Sequence, residues 1–311
     1  MAPSTKAWLQ IHFCVVLWGF TAILGKVITL PALALVWWRM VLVMASLLVI
    51  KQFWIGLRDI PPRLQAIFAG TGIVVALHWL TFYESIKLSN ASVAATCMAL
   101  SPVFLSFIEP LLSEQRFDAR KFLSGLAVIP GVAFVVGGTP FGMRAGILVG
   151  TVSAALVAVF SSLNKRFAGS ADALSVTGIE MTAGALLLTL LGPLLQHEQD
   201  FFALPNMADG LLLVVLALGC TLLPFALSLV ALRKLSTFTV VLAINMEPVY
   251  AVLLAIVLLG EQRELDPAFY LGVAIIIVVV FSYPLLAAVR SNTAPLSDAA
   301  EAGPRGPDTN G

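Results

Sequence analysis

Long apolar runs separated by short polar stretches dominate the pattern of this 311-residue sequence. A helix needs about 20 apolar residues to cross a lipid bilayer. Ten runs have about that length, at residues 8–30, 32–50, 64–82, 90–112, 120–138, 145–163, 173–195, 209–230, 237–259 and 268–289. Gly, Ala, Ser and Thr recur within the runs, which favours close helix packing in lipid. The pattern therefore predicts an all-α polytopic membrane protein with ten transmembrane helices.

The chain contains one stretch twice. Each copy reads Lys-Leu-Ser, then Pro-Val, then Glu-Gln-Arg, at residues 87–89, 102–103 and 114–116 and again at 234–236, 248–249 and 261–263. The lysines and the glutamates recur 147 positions apart and the prolines 146 positions apart. Two similar halves are therefore predicted, at residues 8–138 and 145–289. Five spans per half is an odd number, so the halves must cross the membrane in opposite directions, an inverted repeat typical of secondary transporters.

Composition and charge support a membrane location. Hydrophobic residues make up 59% of the chain and charged residues 11%, against about 25% charged residues in soluble domains. The mean hydropathy is +0.98. With the N-terminus in the cytoplasm, 13 of the 18 Lys and Arg residues fall on the cytoplasmic side and three on the outer side. This bias predicts that both termini are cytoplasmic; residues 290–311, rich in Ala, Pro and Gly, are predicted to form a disordered tail.

The second copy of the repeat places a carboxylate deep in a span. Glu247 lies about ten residues into the ninth span, directly before Pro248. A proline leaves the carbonyl four residues earlier without its helical partner and kinks the helix. Glu247 and Asn245 would then form a polar notch near mid-membrane, with Ser101 and Pro102 as the counterpart in the first half. We expect Glu247 to contact the substrate or carry a coupled proton; a structural ion pair is the alternative interpretation.

Other polar residues inside the spans are weaker candidates for the same site. Arg39 could bind a substrate carboxylate while Glu180 binds an amine, or the two could form a structural ion pair. His78 and Glu180 are further candidates for proton coupling, and Trp79 and Tyr250 lie deep enough to line a cavity. Packing inside the bundle is the alternative for each of them. Among the remaining intramembrane polar residues, Asn164 is also a candidate ligand, whereas Lys26 could simply reach the membrane interface.

These features resemble the EamA-type members of the drug/metabolite transporter superfamily. The resemblance rests on the repeated Pro-Val and Glu-Gln-Arg motifs, the Trp18-Gly19 pair, and the run from His78-Trp79 to Ser89-Asn90. It covers essentially residues 8–289. It implies a site lined by spans 1–4 and 6–9, with spans 5 and 10 as outer scaffold. Known family members mostly export amino acids or related small metabolites, and relatives carry nucleotide-sugars or sugar phosphates.

We therefore expect a secondary active transporter, an exporter of amino acids or similar metabolites, that works by alternating access in a bacterial inner membrane. A nucleotide-sugar or sugar-phosphate exchanger is the alternative, and a membrane-embedded lipid-modifying enzyme is the alternative of another class. No Walker-type loop, hydrolase motif or metal-ligand spacing occurs, so neither enzymatic activity nor a cofactor or metal is expected. The expected partners are the small substrate and the lipid bilayer, with a homodimer as a candidate assembly; no basic patch points to nucleic acid.

Overall fold

The computed structural model describes residues 3–112, 119–167, 169–195, 201–224, 227, 243–244 and 246–293. In these ranges the chain forms α-helices joined by short turns, and no strand occurs. The helices are α1 Pro3–Val27, α2 Ala32–Leu48, α3 Lys51–Asp59, α4 Pro62–Leu88, α5 Ala91–Met98, α6 Ser101–Leu112, α7 Ala119–Leu126, α8 Ile129–Gly137, α9 Arg144–Arg166, α10 Ala173–Leu195, α11 Met207–Val214, α12 Glu247–Leu254 and α13 Pro267–Thr293. Helices α11 and α12 continue as π-helical turns, Val215–Leu222 and Ala255–Leu259.

Five helical segments of the described chain are long and apolar enough to cross a membrane. They are Thr5–Val27, Pro62–Leu88, Ala91–Leu112, Phe141–Arg166 and Ala173–Leu195. The bent pair α2 and α3 is a sixth candidate if it is counted as one span. Shorter apolar helices cover Met207–Leu222, Glu247–Leu259 and Pro267–Val279. The protein is thus an all-helical, multi-pass membrane protein. Helix α13 continues to Thr293, beyond the predicted end at residue 289, and the rest of the predicted tail lies outside the described residues.

Helix α3 is an element that the apolar pattern did not predict. It follows α2 after a break of two residues and is bent away from it by 92°. Its inner face buries Phe53 and Gly56 against the start of α10, where the Ser175 hydroxyl donates to the Phe53 carbonyl at 3.0 Å. Lys51 and Arg58 on its other face are exposed. A short helix with one apolar and one charged face is typical of the membrane interface.

Both prolines of the repeat stand where their helix is interrupted. Helix α5 ends at Met98, and α6 begins at Ser101, next to Pro102. In the second half α12 begins at Glu247, with Pro248 in its first turn. A proline lacks the N–H that would continue the ladder, and its fixed φ suits a first turn. The repeated proline therefore marks a helix interruption at the equivalent position of each half.

The helix contacts between the halves come in matching pairs. Helix α4 packs on α9 and α10, and the corresponding segment of the second half, α11 with its π-helical turns, packs on α1 and α2. Likewise α5 and α6 pack on α9, while α12 packs on α1. The contacts α2–α10, α5–α12 and α8–α13 join equivalent elements. Exchanging the halves therefore reproduces the contact pattern, as expected for a duplicated chain.

Small residues make the closest of these contacts. A Cβ on Gly72 of α4 would lie 2.3 Å from the carbonyl oxygen of Glu180 in α10. A Cβ on Gly146 of α9 would lie 2.4 Å from the Ser89 hydroxyl oxygen, and one on Gly272 of α13 would lie 2.6 Å from the carbonyl oxygen of Gly131. Glycine at these crossings lets the backbones approach, which is how helices pack tightly in lipid. These contacts set the rotation and spacing of the helices that carry the polar residues.

Candidate functional site

A cavity of about 600 Å³ lies between the two halves. Its volume is within the range of about 300–1,000 Å³ that is usual for small-molecule sites. Side chains of both halves line it: Trp18, Thr21, Arg39, Val43, Val75, His78, Trp79, Phe82, Met98, Ala99, Ser101, Pro102, Leu105, Val157, Ala158, Phe160, Ser161, Asn164, Thr177, Glu180, Met181, Cys220, Thr221, Leu222, Ile244, Glu247 and Pro248. None of these described residues belongs to α7, α8 or α13, in line with the scaffold role that the resemblance implies for spans 5 and 10.

Arg39 is held in the cavity wall by three side chains. Its guanidinium carbon lies 3.7 Å from the centre of the Trp79 ring, a cation–π distance. Nε donates to the Thr221 hydroxyl at 3.0 Å, and Nη1 donates to the Tyr83 hydroxyl at 2.8 Å. Arg39 is only 4% exposed. These three contacts hold the planar guanidinium group in one orientation, so the positive charge of Arg39 has a fixed position in the cavity wall.

Glu247 is the carboxylate whose charge Arg39 balances. Both residues line the cavity, and their charges attract each other. No contact within 4 Å between the Arg39 guanidinium and the Glu247 carboxylate occurs among the described side chains, so the two residues do not form a direct ion pair. Glu247 stands in the first turn of α12, where the helix N-terminus also favours a negative charge. The proline break therefore positions the carboxylate toward the cavity.

Glu180 lines the same cavity from α10, and it does not pair with Arg39. It is 6% exposed, and its Oε1 atom has no hydrogen-bond partner in the described part of the chain. Asn164 of α9 lies beside it, and the Asn164 Oδ1 is also without a partner. The Asn164 amide is close enough to the carboxylate to act as its hydrogen-bond donor. No positive side chain forms an ion pair with Glu180 in the described ranges.

His78 lines the cavity while its ring is tied to α9. Nδ1 lies 2.8 Å from the Ser153 hydroxyl oxygen, and that hydroxyl donates to the His78 carbonyl at 2.9 Å. The ring also stands 5.4 Å from Phe160. This arrangement fastens α4 to α9 by a side-chain and backbone hydrogen-bond pair. Ser101, the candidate from the first proline notch, lines the cavity as well.

Two predicted site residues have a different outcome. Tyr250 is not among the cavity-lining residues; its hydroxyl lies 2.9 Å from His12 Nδ1 on α1. Three residues turn a helix by about 300°, so Tyr250 lies on the flank of α12 while Glu247 faces the cavity. Asn245 lies outside the described residues. Trp18, singled out in the sequence only for the family resemblance, lines the cavity.

Thr221 is a site residue that the sequence did not indicate. It stands in the π-helical turn after α11, where its hydroxyl donates to the Leu216 carbonyl at 2.8 Å and accepts from Arg39. π-Helical turns often occur at functional sites because they redirect side chains. An apolar run does not reveal a widened turn, so nothing in the sequence singled out Thr221.

Polar contacts join the helices at the end of the bundle where α5 begins. Lys26 donates to the Ser89 carbonyl at 3.2 Å, and Thr29 donates through its backbone N–H to Asp209 at 2.9 Å. Glu261, which is 1% exposed, receives hydrogen bonds from backbone N–H groups at the start of α5. The first Glu-Gln-Arg copy, at residues 114–116, lies outside the described residues.

The cavity lies toward the opposite end, where α9 ends and α10 begins. The lining residues of these helices are confined to 157–164 and 177–181. At that end Lys165 of α9 pairs with Glu109 of α6 at 2.5 Å. Polar contacts thus join the helices at one end of the bundle, and the cavity lies toward the other end.

Comparison with known proteins identifies the family. The model of the EamA-like transporter family matches this chain twice, at residues 5–137 and 144–287. The chain belongs to the EamA-like transporter family. The two matches correspond to the two halves of the sequence repeat. This family member is therefore a transporter of the drug/metabolite transporter superfamily, and its cavity is a candidate substrate site.

A solved structure shares the fold of this EamA-like transporter. It is titled only as a crystal structure of a protein, and it is 18% identical, with a TM-score of 0.62 over 93% of this chain and 99% of its own. Among curated proteins no match is found. In the described ranges no group of three or more His, Cys, Asp or Glu residues could hold a metal ion.

Proposed function

We propose that this protein is a secondary active transporter that exports small metabolites, such as amino acids, by alternating access. In this proposal ten spans form two oppositely inserted halves, and both termini are cytoplasmic. The observation that carries the proposal is the cavity between the halves, which holds Arg39, Glu180 and Glu247 away from lipid. Charged side chains inside a membrane are costly and are typical of transport pathways.

In alternating access the cavity opens to one side of the membrane at a time. In this proposal the end of the bundle where α5 begins, which carries Lys26, Lys87 and Glu261, is the outer face, because the sequence pattern puts most Lys and Arg residues at the opposite, cytoplasmic end. The cavity would then face the cytoplasm, the side from which an exporter takes its substrate. The plasma membrane of a bacterium remains the proposed location.

Glu247 is the proposed proton-coupling residue, with Glu180 and His78 as the other candidates. Glu247 lies in a helix break and faces the charge of Arg39, so gain or loss of a proton would change the electrostatics of the cavity directly. His78 is the weaker candidate because its Nδ1 already contacts Ser153.

The alternative functions have less support in the residues that line the cavity. A nucleotide-sugar or sugar-phosphate exchanger needs several cations to bind phosphates, whereas Arg39 is the one Lys or Arg of the described lining and two carboxylates accompany it. A lipid-modifying enzyme is disfavoured by membership of a transporter family.

The test is substrate counterflow in proteoliposomes, with substrates first selected by growth of deletion and overexpressing strains on amino acids and their toxic analogues. Glu247→Gln is expected to abolish the pH dependence of transport. Asp59→Asn, an exposed carboxylate on α3, is the matched control. Transport by Glu247→Gln with an unchanged pH profile would remove Glu247 from the proposed role, and absence of any transport by the wild-type protein would contradict the function itself.

A further inference from the structure

The charges in the cavity are unevenly matched. Its described lining contains one arginine, Arg39, and two glutamates, Glu180 and Glu247. Arg39 and Glu247 interact with each other. Glu180, 6% exposed, has Asn164 beside it and no cationic partner in the described part of the chain. A carboxylate buried without a counter-charge is costly when ionised, so it either takes up a proton or gains from a bound cation that supplies the missing positive charge.

Arg39 does not supply that charge, and it is poorly placed to bind a substrate carboxylate. Its Nε and Nη1 are used by Thr221 and Tyr83, and the plane of its guanidinium lies over the Trp79 ring. Bidentate carboxylate binding needs two parallel N–H groups of the fork. The geometry of Arg39 therefore fits a fixed counter-charge for Glu247 better than a carboxylate receptor.

We propose that the cavity binds organic cations bearing a primary ammonium group, and that Glu180, assisted by Asn164, binds the ammonium. The proposal rests on the proposed transport function and specifies its substrate class. A primary ammonium has three donors. Glu180 Oε1 is buried and without a partner, and the neighbouring Asn164 oxygen is too. An ammonium would satisfy both oxygens and neutralise the carboxylate, whereas a ligand with only a carboxylate would add a second negative charge beside Glu180.

The walls next to Glu180 fit an apolar ligand body. Phe160 precedes Asn164 by four residues on α9, which places both side chains on the same helix face. Val157, Phe82 and Met181 also line the cavity. A ligand whose ammonium contacts Glu180 can therefore place an aromatic or branched aliphatic group against these side chains, and a free carboxylate on the ligand is not required.

Four compounds with the same phenyl body separate the contributions of the two charged groups. They are phenethylamine, phenylalanine amide, phenylalanine and 3-phenylpropionate, which differ in whether they carry an ammonium, a carboxylate or both. Binding to the purified full-length protein in nanodiscs is measured by isothermal titration. We expect phenethylamine and phenylalanine amide to bind at least as tightly as phenylalanine, and 3-phenylpropionate not to bind.

Two kinds of variant test the assignment to Glu180. Glu180→Gln keeps the shape and removes the charge, and it should weaken binding of both amines about tenfold or more, because a hydrogen bond to a charged group contributes about 1.5–3 kcal/mol. Gly72→Ala removes no cavity side chain, but its Cβ would lie 2.3 Å from the Glu180 carbonyl oxygen and would displace the backbone that carries Glu180, so it should also weaken amine binding. Gly70→Ala is the control, because its Cβ meets nothing within 4 Å.

The outcomes separate this proposal from the proposed function. Binding of phenylalanine without binding of phenethylamine would show that a carboxylate is required and would overturn the ammonium site. So would binding that Glu180→Gln leaves unchanged in a folded protein, or no binding of either amine to the wild type. Counterflow is measured separately: a wild-type protein that binds the amines through Glu180 but transports neither them nor any amino acid would contradict the transport function and leave the ammonium site standing.

Discussion

The Glu261 carboxylate, in the second half of the chain, accepts a hydrogen bond from the backbone N–H of Ser92, in the first half, at 2.8 Å. Its other oxygen accepts from the N–H of Ala91 at 2.9 Å. Glu261, from the second Glu-Gln-Arg copy, therefore caps the start of α5, where unpaired N–H groups and the helix dipole favour a negative charge. This contact joins the two halves at the end of the bundle where α5 begins.

Replacing Glu261 should destabilise the protein. Glu261→Ala leaves two buried N–H groups without an acceptor, and we expect a loss of about 2–4 kcal/mol, because each unsatisfied group costs about 1–3 kcal/mol. The measurement is the thermal unfolding midpoint in detergent. Arg263→Gln, two residues away and exposed, should leave the midpoint within the experimental error; an equal decrease in both variants would argue against a specific cap.

Arg39 and Glu247 should be coupled in a double-mutant cycle. Arg39→Gln leaves the Glu247 charge without its partner, and we expect a destabilisation of about 3 kcal/mol. Adding Glu247→Gln removes the uncompensated charge, so the double variant should be less destabilised than the sum of the single variants. Thermal unfolding of the four proteins gives the coupling. The cycle of Lys51→Gln and Asp59→Asn on the exposed face of α3 is the control, and its effects should add.

Gly72 should be sensitive to added volume, whereas Gly70 should not. Alanine at residue 72 forces α4 and α10 apart at the Glu180 backbone, while alanine at residue 70 meets no atom within 4 Å. We expect Gly72→Ala to reduce the rate of counterflow at least about tenfold at equal protein level, since overpacking costs about 1–3 kcal/mol. Full transport by Gly72→Ala would mean that this helix crossing does not position the site.

The proposed opposite insertion of the halves can be tested by cysteine labelling. Val27 is the last residue of α1, and Arg166, 139 positions later, is the last residue of α9. In a background without Cys14, Cys97 and Cys220, a membrane-impermeant maleimide should label Val27→Cys in intact cells. It should label Arg166→Cys only after permeabilisation. Labelling of both positions from the same side would contradict the inverted repeat.

The sequence by itself determined the helical membrane class, the duplication and the residues whose burial needs an explanation. Length and apolarity of a run are local properties, and a proline interrupts a helix wherever it stands. The cost of a charge in lipid is also independent of its neighbours, so Arg39, Glu180 and Glu247 could be expected to avoid lipid, and the structure places all three around one cavity.

Only the tertiary structure decided which of these side chains meet. The sequence left open whether Arg39 pairs with Glu180; in the structure Arg39 contacts Trp79, Tyr83 and Thr221, and Glu180 lies beside Asn164. These partners depend on helix rotation and crossing, which the glycine contacts between the halves set. A rotation of 100° per residue separates a cavity residue from a packing residue, and no local pattern in an apolar run specifies that angle.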